Sequence, residues 1–522
     1  MVIARQLSAA GIMIDNQITY WEEMFMKKKA LSVILAAAMV GTMMVGCGSS
    51  SSSSTDTSTD AAAEETTEAA EETTEAAEET TEEAAEETTE AAEESTETAA
   101  ADGDYIIGDY ATVPAKPDTG DMSSNEWLLN QDDKLSLSGV VSSHMDSRAD
   151  VEKAVDSLAA KADQDTIKIA CLMASQGTQF FTTLSAAVEE RCEEYGYDVT
   201  MFDANFDLGT QQDQYEQVLA ADYDYIICNA VDIDAESDLY RQSVEKGIPV
   251  VVTGPTAGQD DYQNLTTILS GSWAAGYATG VYTCDYIAKT RGLDGTALKW
   301  GAVVDKMGDA DSESRPNGWI AGYLYEYDQL TGQGAYENKW DAAATAYEIW
   351  CDLRDSGSHT IDGIVELTQV VCTNEIATSA AQPKCAELLS AHPDLDIAFV
   401  ETDSFGLAMV TELYQEGFTP GEDMLVVYAA DGTGDLCEAI KNGEVLCIGV
   451  NVPTYNGYGS VDLCYDILNN VMDCNDLPEN SFTPTYCVTP ENVDEVYTEG
   501  NLYADPMEWQ IQTTDEYNEA NA

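Results

Sequence analysis

The sequence predicts an α/β protein built as two doubly wound parallel-sheet lobes, and three observations predict it. Short, near-continuous apolar runs such as 167–173 and 225–229 read as strands buried on both faces. Segments with apolar residues at helical spacing separate them, beginning with 182–195. The alternation stops near Ser270 and begins afresh, so about 330 residues hold two series, each of ordinary domain size.

The first series runs strand 167–173, helix 182–195, strand 198–202, helix 211–221, strand 225–229, helix 235–246 and strand 248–253. The second runs helix 273–290, strand 298–304, helix 315–330, strand 361–371, helix 375–391, strand 397–401, helix 406–416, strand 424–428, helix 435–442 and strand 446–450. Residues 336–360 read as an insertion within it. The expected division is 166–268 plus 452–485 for the first lobe and 269–451 plus 486–500 for the second. Residues 104–165, with Tyr105 and Trp127, read as a partly ordered flank, and Tyr503 and Trp509 suggest that the tail packs onto a lobe.

Of 522 residues, 96 are Asp or Glu and 22 are Lys or Arg, a formal net charge of -74. Capture of nucleic acid needs a basic face, which cations this sparse do not supply, so DNA and RNA are excluded as partners. The same charge argues against anionic lipid headgroups and disfavours an anionic ligand.

The amino terminus reads as processed and anchored. Lys27–Lys29 precede an apolar run over 31–45, shorter than the about 20 residues that cross a bilayer, which is the pattern of a secretory signal. The run ends in Met44-Val45-Gly46-Cys47, which resembles a bacterial lipobox. Cys47 is therefore expected to carry lipid and to be the only membrane anchor, on the outer face of a Gram-positive plasma membrane. Residues 1–25 precede that signal. Trp21-Glu22-Glu23 must be encoded by a stretch that can hold a purine-rich ribosome-binding site ahead of Met26, so 1–25 are expected to be a mis-assigned start. A peptide beginning at Met1 in an unprocessed Cys47→Ala form would refute this. Residues 48–103, with repeated Glu-Glu-Thr-Thr-Glu-Ala-Ala units, hold no cation and nothing large and apolar, and are expected to form a disordered stalk.

Twelve cysteines remain beyond Cys47. Several, such as Cys171 and Cys228, sit in strand-like apolar runs, where cysteine acts as a small hydrophobe. Most are expected to be free, with Cys372 and Cys385 as the exception. There is no Cys-x-x-Cys, and the three histidines are isolated, which argues against zinc. Neither glycine-rich phosphate loop, nor a nucleophile elbow, nor a convincing triad occurs. The reading is a binding protein and not an enzyme, and it implies no cofactor.

Five segments, in this order and spacing, carry a resemblance. They are Ile-Lys-Ile-Ala to Thr-Gln-Phe-Phe over 167–181, Tyr-Ile-Ile-Cys-Asn-Ala-Val-Asp-Ile-Asp-Ala over 225–235 and Lys-Gly-Ile-Pro-Val-Val-Val-Thr over 246–253. Ala-His-Pro-Asp-Leu-Asp-Ile-Ala-Phe-Val-Glu-Thr-Asp over 391–403 and Ala-Ala-Asp-Gly-Thr over 429–433 complete the set. Across about 166–489 the chain resembles the type I periplasmic sugar-binding proteins of the galactose- and ribose-binding kind. That resemblance implies two lobes joined by a multi-crossing hinge, with crossings at 268–271, 450–453 and 482–486.

A sugar offers apolar faces and a rim of hydroxyls, so its site needs aromatic platforms and polar groups that donate and accept. Ligands of open parallel sheets bind outside the carboxyl ends of the strands. Phe180 and Phe181 follow the first strand and can stack, with Gln179 beside them for hydroxyls; core packing is the plain alternative for the pair. Asn229 ends the third strand, where an amide also serves in a turn. Asp311-Ser-Glu-Ser-Arg315 matches the family's Asp-x-x-x-Arg at a helix start, so that Asp311 accepts and Arg315 forks; a cap and a surface cation are the alternative. Thr402-Asp403 departs from the usual Asn-Asp. Asp431 and Asn451 keep the family's Asp and Asn spacing, and Asp431 is the strongest candidate. Gly254-Pro255 stands where the family has a polar pair, and either Trp340 or Asn374 occupies the aromatic position.

The resemblance implies the substrate-binding lipoprotein of an ABC importer, a monomer that takes a neutral monosaccharide or similar polyol and presents it to a membrane permease. The alternatives are a ligand sensor partnering a membrane kinase, or a binder of a non-sugar such as a nucleoside.

Overall fold

The computed structural model describes residues 148–254, 263–307, 310–471, 473, 476–478, 480–506, 509–513 and 516. The expectations for the start, the signal, Cys47, the stalk and 104–147 lie outside the described residues.

The first sheet has six strands. β1 (Lys168–Met173) lies between β2 (Asp198–Asp203) and β3 (Tyr225–Asn229). The order continues through β4 (Val250–Gly254) and β5 (Thr267–Leu269) to β12 (Asn480–Phe482), every pair parallel. Ile226, Ile227, Cys228, Val250 and Val251 have no exposure, because helices cover both faces of these central strands. The covering helices are α2 (Gln179–Tyr195), α3 (Leu208–Ala220), α4 (Ser237–Glu245) and α11 (Pro453–Asn469). Local chemistry sets their ends: the Asp207 side chain accepts from the Thr210 amide at the start of α3, and Gly196 closes α2 in a left-handed conformation. The flank contributes α1 (Ala149–Ala159), whose Val151, Ala154 and Leu158 enter the same core at three- and four-residue spacing.

The second sheet has seven strands in the order β13 (Tyr486–Val488), β11 (Cys447–Val450), β10 (Leu425–Ala429), β9 (Ile397–Val400), β6 (Leu298–Val304), β8 (Val365–Cys372), β7 (His359–Ile361). Only the two edge pairs are antiparallel. On one face α5 (Ser272–Thr290), α6 (Ala310–Thr331) and α7 (Lys339–Ser356) bury Trp300, Trp319 and Trp350. On the other, α8 (Thr378–Ala391), α9 (Asp403–Glu416), α10 (Gly434–Lys441) and the short α12 (Val493–Val496) bury Phe405, Leu413 and Leu436.

Several expectations change. The single strand over 361–371 is a hairpin, because Asp362-Gly363, with Gly363 at φ +73°, turns the chain between β7 and β8. The inserted region supplies α7, packed on α6, and the edge strand β7. α6 begins at Ala310 rather than 315, so Asp311 lies inside its first turn. Cys372 and Cys385 are both free, as are all eleven described cysteines. Cys372 packs with the Trp300 face of the sheet while Cys385 belongs to the core of the opposite face, so the sheet itself separates the two sulfurs.

The chain passes between the sheets three times: after β5, after β11 and between β12 and β13. Each passage leaves a parallel strand at its carboxyl end and reaches the other lobe within a few residues, so the carboxyl edges of the two sheets face each other.

Candidate functional site

α5 and α6 determine where the second lobe's polar groups stand. Gly276 and Gly280 on one helix, and Gly318 and Gly322 on the other, let the two backbones touch. A Cβ at Gly276 would lie 1.9 Å from the Arg315 carbonyl oxygen, and one at Gly318 would lie 2.1 Å from that of Trp273. This contact brings the first turns of α6 beside the hinge, where the Ser272 hydroxyl donates to Asp311.

Arg315 is 6% exposed and its Nη1 donates to Glu401 twice, to Oε1 at 3.3 Å and to the carbonyl oxygen at 3.4 Å. Glu401, directly after β9, also accepts from the Asp305 amide at 2.5 Å and the Ser312 hydroxyl at 3.0 Å. Burial pushes its carboxyl up to about 7, against the opposing pull of Arg315. Thr402 caps α9 with its carbonyl, which accepts from the Phe405 and Gly406 amides, while its hydroxyl meets Ser404 at 3.1 Å. Asp403 opens α9, and its Oδ2 accepts from the Thr433 amide at 2.7 Å. Asp431 follows β10 at φ +42° and is half-buried. Burial raises it to about 6, with Arg315 lowering and Asp311 raising. Asp403 is raised by burial and then by Asp431. Four carboxylates and one guanidinium therefore share the carboxyl edge of this sheet.

Of the predicted residues, Asp311, Arg315, Thr402 and Asp431 come together here. Glu401 and Asp403 join them without having been singled out; the available signal was an acid ending an apolar strand and an acid opening the next helix. Asn374, exposed at φ +58° beyond β8, donates its amide to the Asp305 carbonyl at 2.7 Å, so it stands at the same edge. Trp340 instead stacks on Trp273, with ring centroids 5.3 Å apart.

In the first lobe Phe180 and Phe181 lie half-buried after β1, edge to face at 5.4 Å, and Phe181 meets Phe206 at 5.5 Å. Three amides hold protein partners. Asn229 is 1% exposed and clips strand ends, accepting from the Ala174 amide and donating to the Thr253 carbonyl at 2.9 Å. Asn451 is a hinge knot: its Oδ1 accepts from the Gly271 amide at 3.2 Å and the Thr485 hydroxyl at 2.9 Å, so one side chain ties all three crossings. Gln179 is exposed and donates to the Leu502 carbonyl at 3.1 Å, across the space between lobes. Carboxyl-edge position alone does not separate amides that face a ligand from amides that hold strand ends.

Residues 169–380 match the periplasmic binding protein domain family. Over that stretch the chain is similar to periplasmic binding proteins. The chain is 20% identical over 301 residues to the ribose import binding protein of Salmonella typhimurium, covering 58% of this chain and 84% of that one. It is also 20% identical over 300 residues to that of Escherichia coli, with the same coverage. Among solved structures, a Mycobacterium smegmatis protein in complex with β-D-fucofuranose is similar at 18% identity and a TM-score of 0.48, over 63% of this chain and 93% of that chain.

Proposed function

We propose that this chain is an extracytoplasmic solute-binding lipoprotein that closes two lobes on a neutral monosaccharide or similar polyol and presents it to an ABC permease. The observation that carries this reading is the convergence of Asp311, Arg315, Thr402 and Asp431 on one carboxyl edge, opposite the Phe180–Phe181 pair on the other. Carboxylates accept from hydroxyls, the guanidinium donates to them, and phenyl rings cover an apolar sugar face. The curated relatives, named as ribose import binding proteins, support a sugar and an importer. The excess of carboxylate at the edge opposes an anionic ligand.

Ligand binding stabilises the folded state by mass action. A panel of D-ribose, D-galactose, L-arabinose, D-allose and myo-inositol is expected to raise the melting temperature for at least one member, and Asp431→Ala is expected to abolish that rise. A folded protein indifferent to every member would refute the sugar reading. Loss of the protein from membranes to the medium in Cys47→Ala cells tests the anchor.

A further inference from the structure

The C-terminal segment beyond α12 returns to the site. Ala504 donates its amide to the Gly432 carbonyl and Gly434 donates its own to the Leu502 carbonyl, both at 2.8 Å, and Thr433 and Tyr503 form an antiparallel bridge. The approach depends on Gly434, where a Cβ would sit 2.1 Å from the Asn501 carbonyl oxygen. The segment is thus riveted to the loop that begins with Asp431, and Gln179 of the first lobe holds it from the other side through Leu502.

We infer that Tyr503 is a specificity-determining residue of the ligand cleft, forming with Asp403 a subsite for one ligand hydroxyl. Tyr503 is 5% exposed and Asp403 is 8% exposed, yet the Tyr503 hydroxyl and Asp403 Oδ1 find no hydrogen-bond partner among the described residues. One buried donor and one buried acceptor stand unsatisfied on two residues that are both held to Thr433, an arrangement that costs free energy unless something enters to pair with both. Burial, then Asp431 and Asp403, all raise the Tyr503 phenol, which keeps it protonated and able to donate at neutral pH. A ligand hydroxyl complements the pair, accepting from Tyr503 and donating to Asp403.

This inference rests on the polyol reading, and the test separates the two. Tyr503→Phe removes only the hydroxyl. Without ligand its melting temperature is expected to stay within about 1 °C of the parent, because an unpartnered hydroxyl contributes no bond. Calorimetric titration with the sugars that bind the parent is expected to show roughly tenfold weaker binding for Tyr503→Phe and for Asp403→Asn. One monodeoxy analogue of the best sugar is expected to bind the parent and Tyr503→Phe equally. Equal binding of the intact sugar by parent and Tyr503→Phe would overturn the subsite while leaving the sugar reading standing. A fall of several degrees in the ligand-free variant would make the hydroxyl structural. A parent that binds no sugar in the panel would remove both.

Discussion

Glu236 is fully buried in the first lobe, where its Oε2 accepts from the Cys228 thiol at 3.3 Å and the Tyr240 hydroxyl at 3.4 Å. Burial raises its carboxyl from 4.5 to about 7, only partly offset by those two donors. The folded state therefore binds the proton more tightly than the unfolded chain. Stability on this account is full below about pH 4.5, falls as pH rises toward about 7 and levels off above. Glu236→Gln is expected to reduce that fall by on the order of 2 kcal/mol between about pH 5 and pH 8 in urea titrations. Glu326 and Glu401 shift the same way, so some slope remains. Parallel profiles for variant and parent would count against the assignment. At this scale the sequence was only partly legible. Asp431 and Arg315 stand together at one carboxyl edge, whereas Asn229 and Asn451, at equally suggestive strand ends, also bond to groups of the scaffold. Which way an amide bonds depends on neighbours dozens of residues away.

Between elements, the closest packing is that of α5 on α6, and small residues four apart on each helix permit it. Gly276→Ala must displace the Arg315 backbone, and is expected to cost about 1–3 kcal/mol in urea unfolding and to weaken ligand binding as well. Gly209→Ala in α3 is the contrast: its Cβ would meet only Asp207 Oδ1, at 3.6 Å, so a neutral result or a gain of about 0.5–1 kcal/mol is expected. Equal losses at both positions would show that the helix contact is not what matters. Most strands and helices were legible because their apolar runs are continuous or regularly spaced, but the short hinge-side strands β5, β12 and β13 and the helix α11 were not among those read from the sequence. The hairpin of β7 and β8 was not, since Asp362-Gly363 interrupts a run whose flanks are both apolar. Nor was α1, which has no partner near it in sequence.

Across the molecule, three crossings meet at the Asn451 side chain. Asn451→Ala strands the Gly271 amide and the Thr485 hydroxyl, and is expected to lower stability by about 1–3 kcal/mol. Small-angle scattering is expected to show a wider spread of lobe separations in the variant without ligand. Unchanged scattering with lowered stability would limit Asn451 to local packing. The crossings fall within the segments that the family resemblance implies. The return of residues 501–506 and 509–511 to both lobes was signalled only by Tyr503 and Trp509. Trp509 packs edge to face on Tyr455 at 5.9 Å.

The strand order also governs when each lobe can be completed during synthesis. Among the described residues the first lobe comes first, yet β12 and α11, which belong to its sheet and core, are made after all of the second lobe except β13 and α12. A chain emerging amino end first thus holds an unfinished first lobe, with the β5 edge unpaired, until residues 480–482 appear. The second lobe can assemble nearly all of its sheet before then. The order of completion is the reverse of the order of synthesis, which delays closure of the first core until almost the entire polypeptide is available.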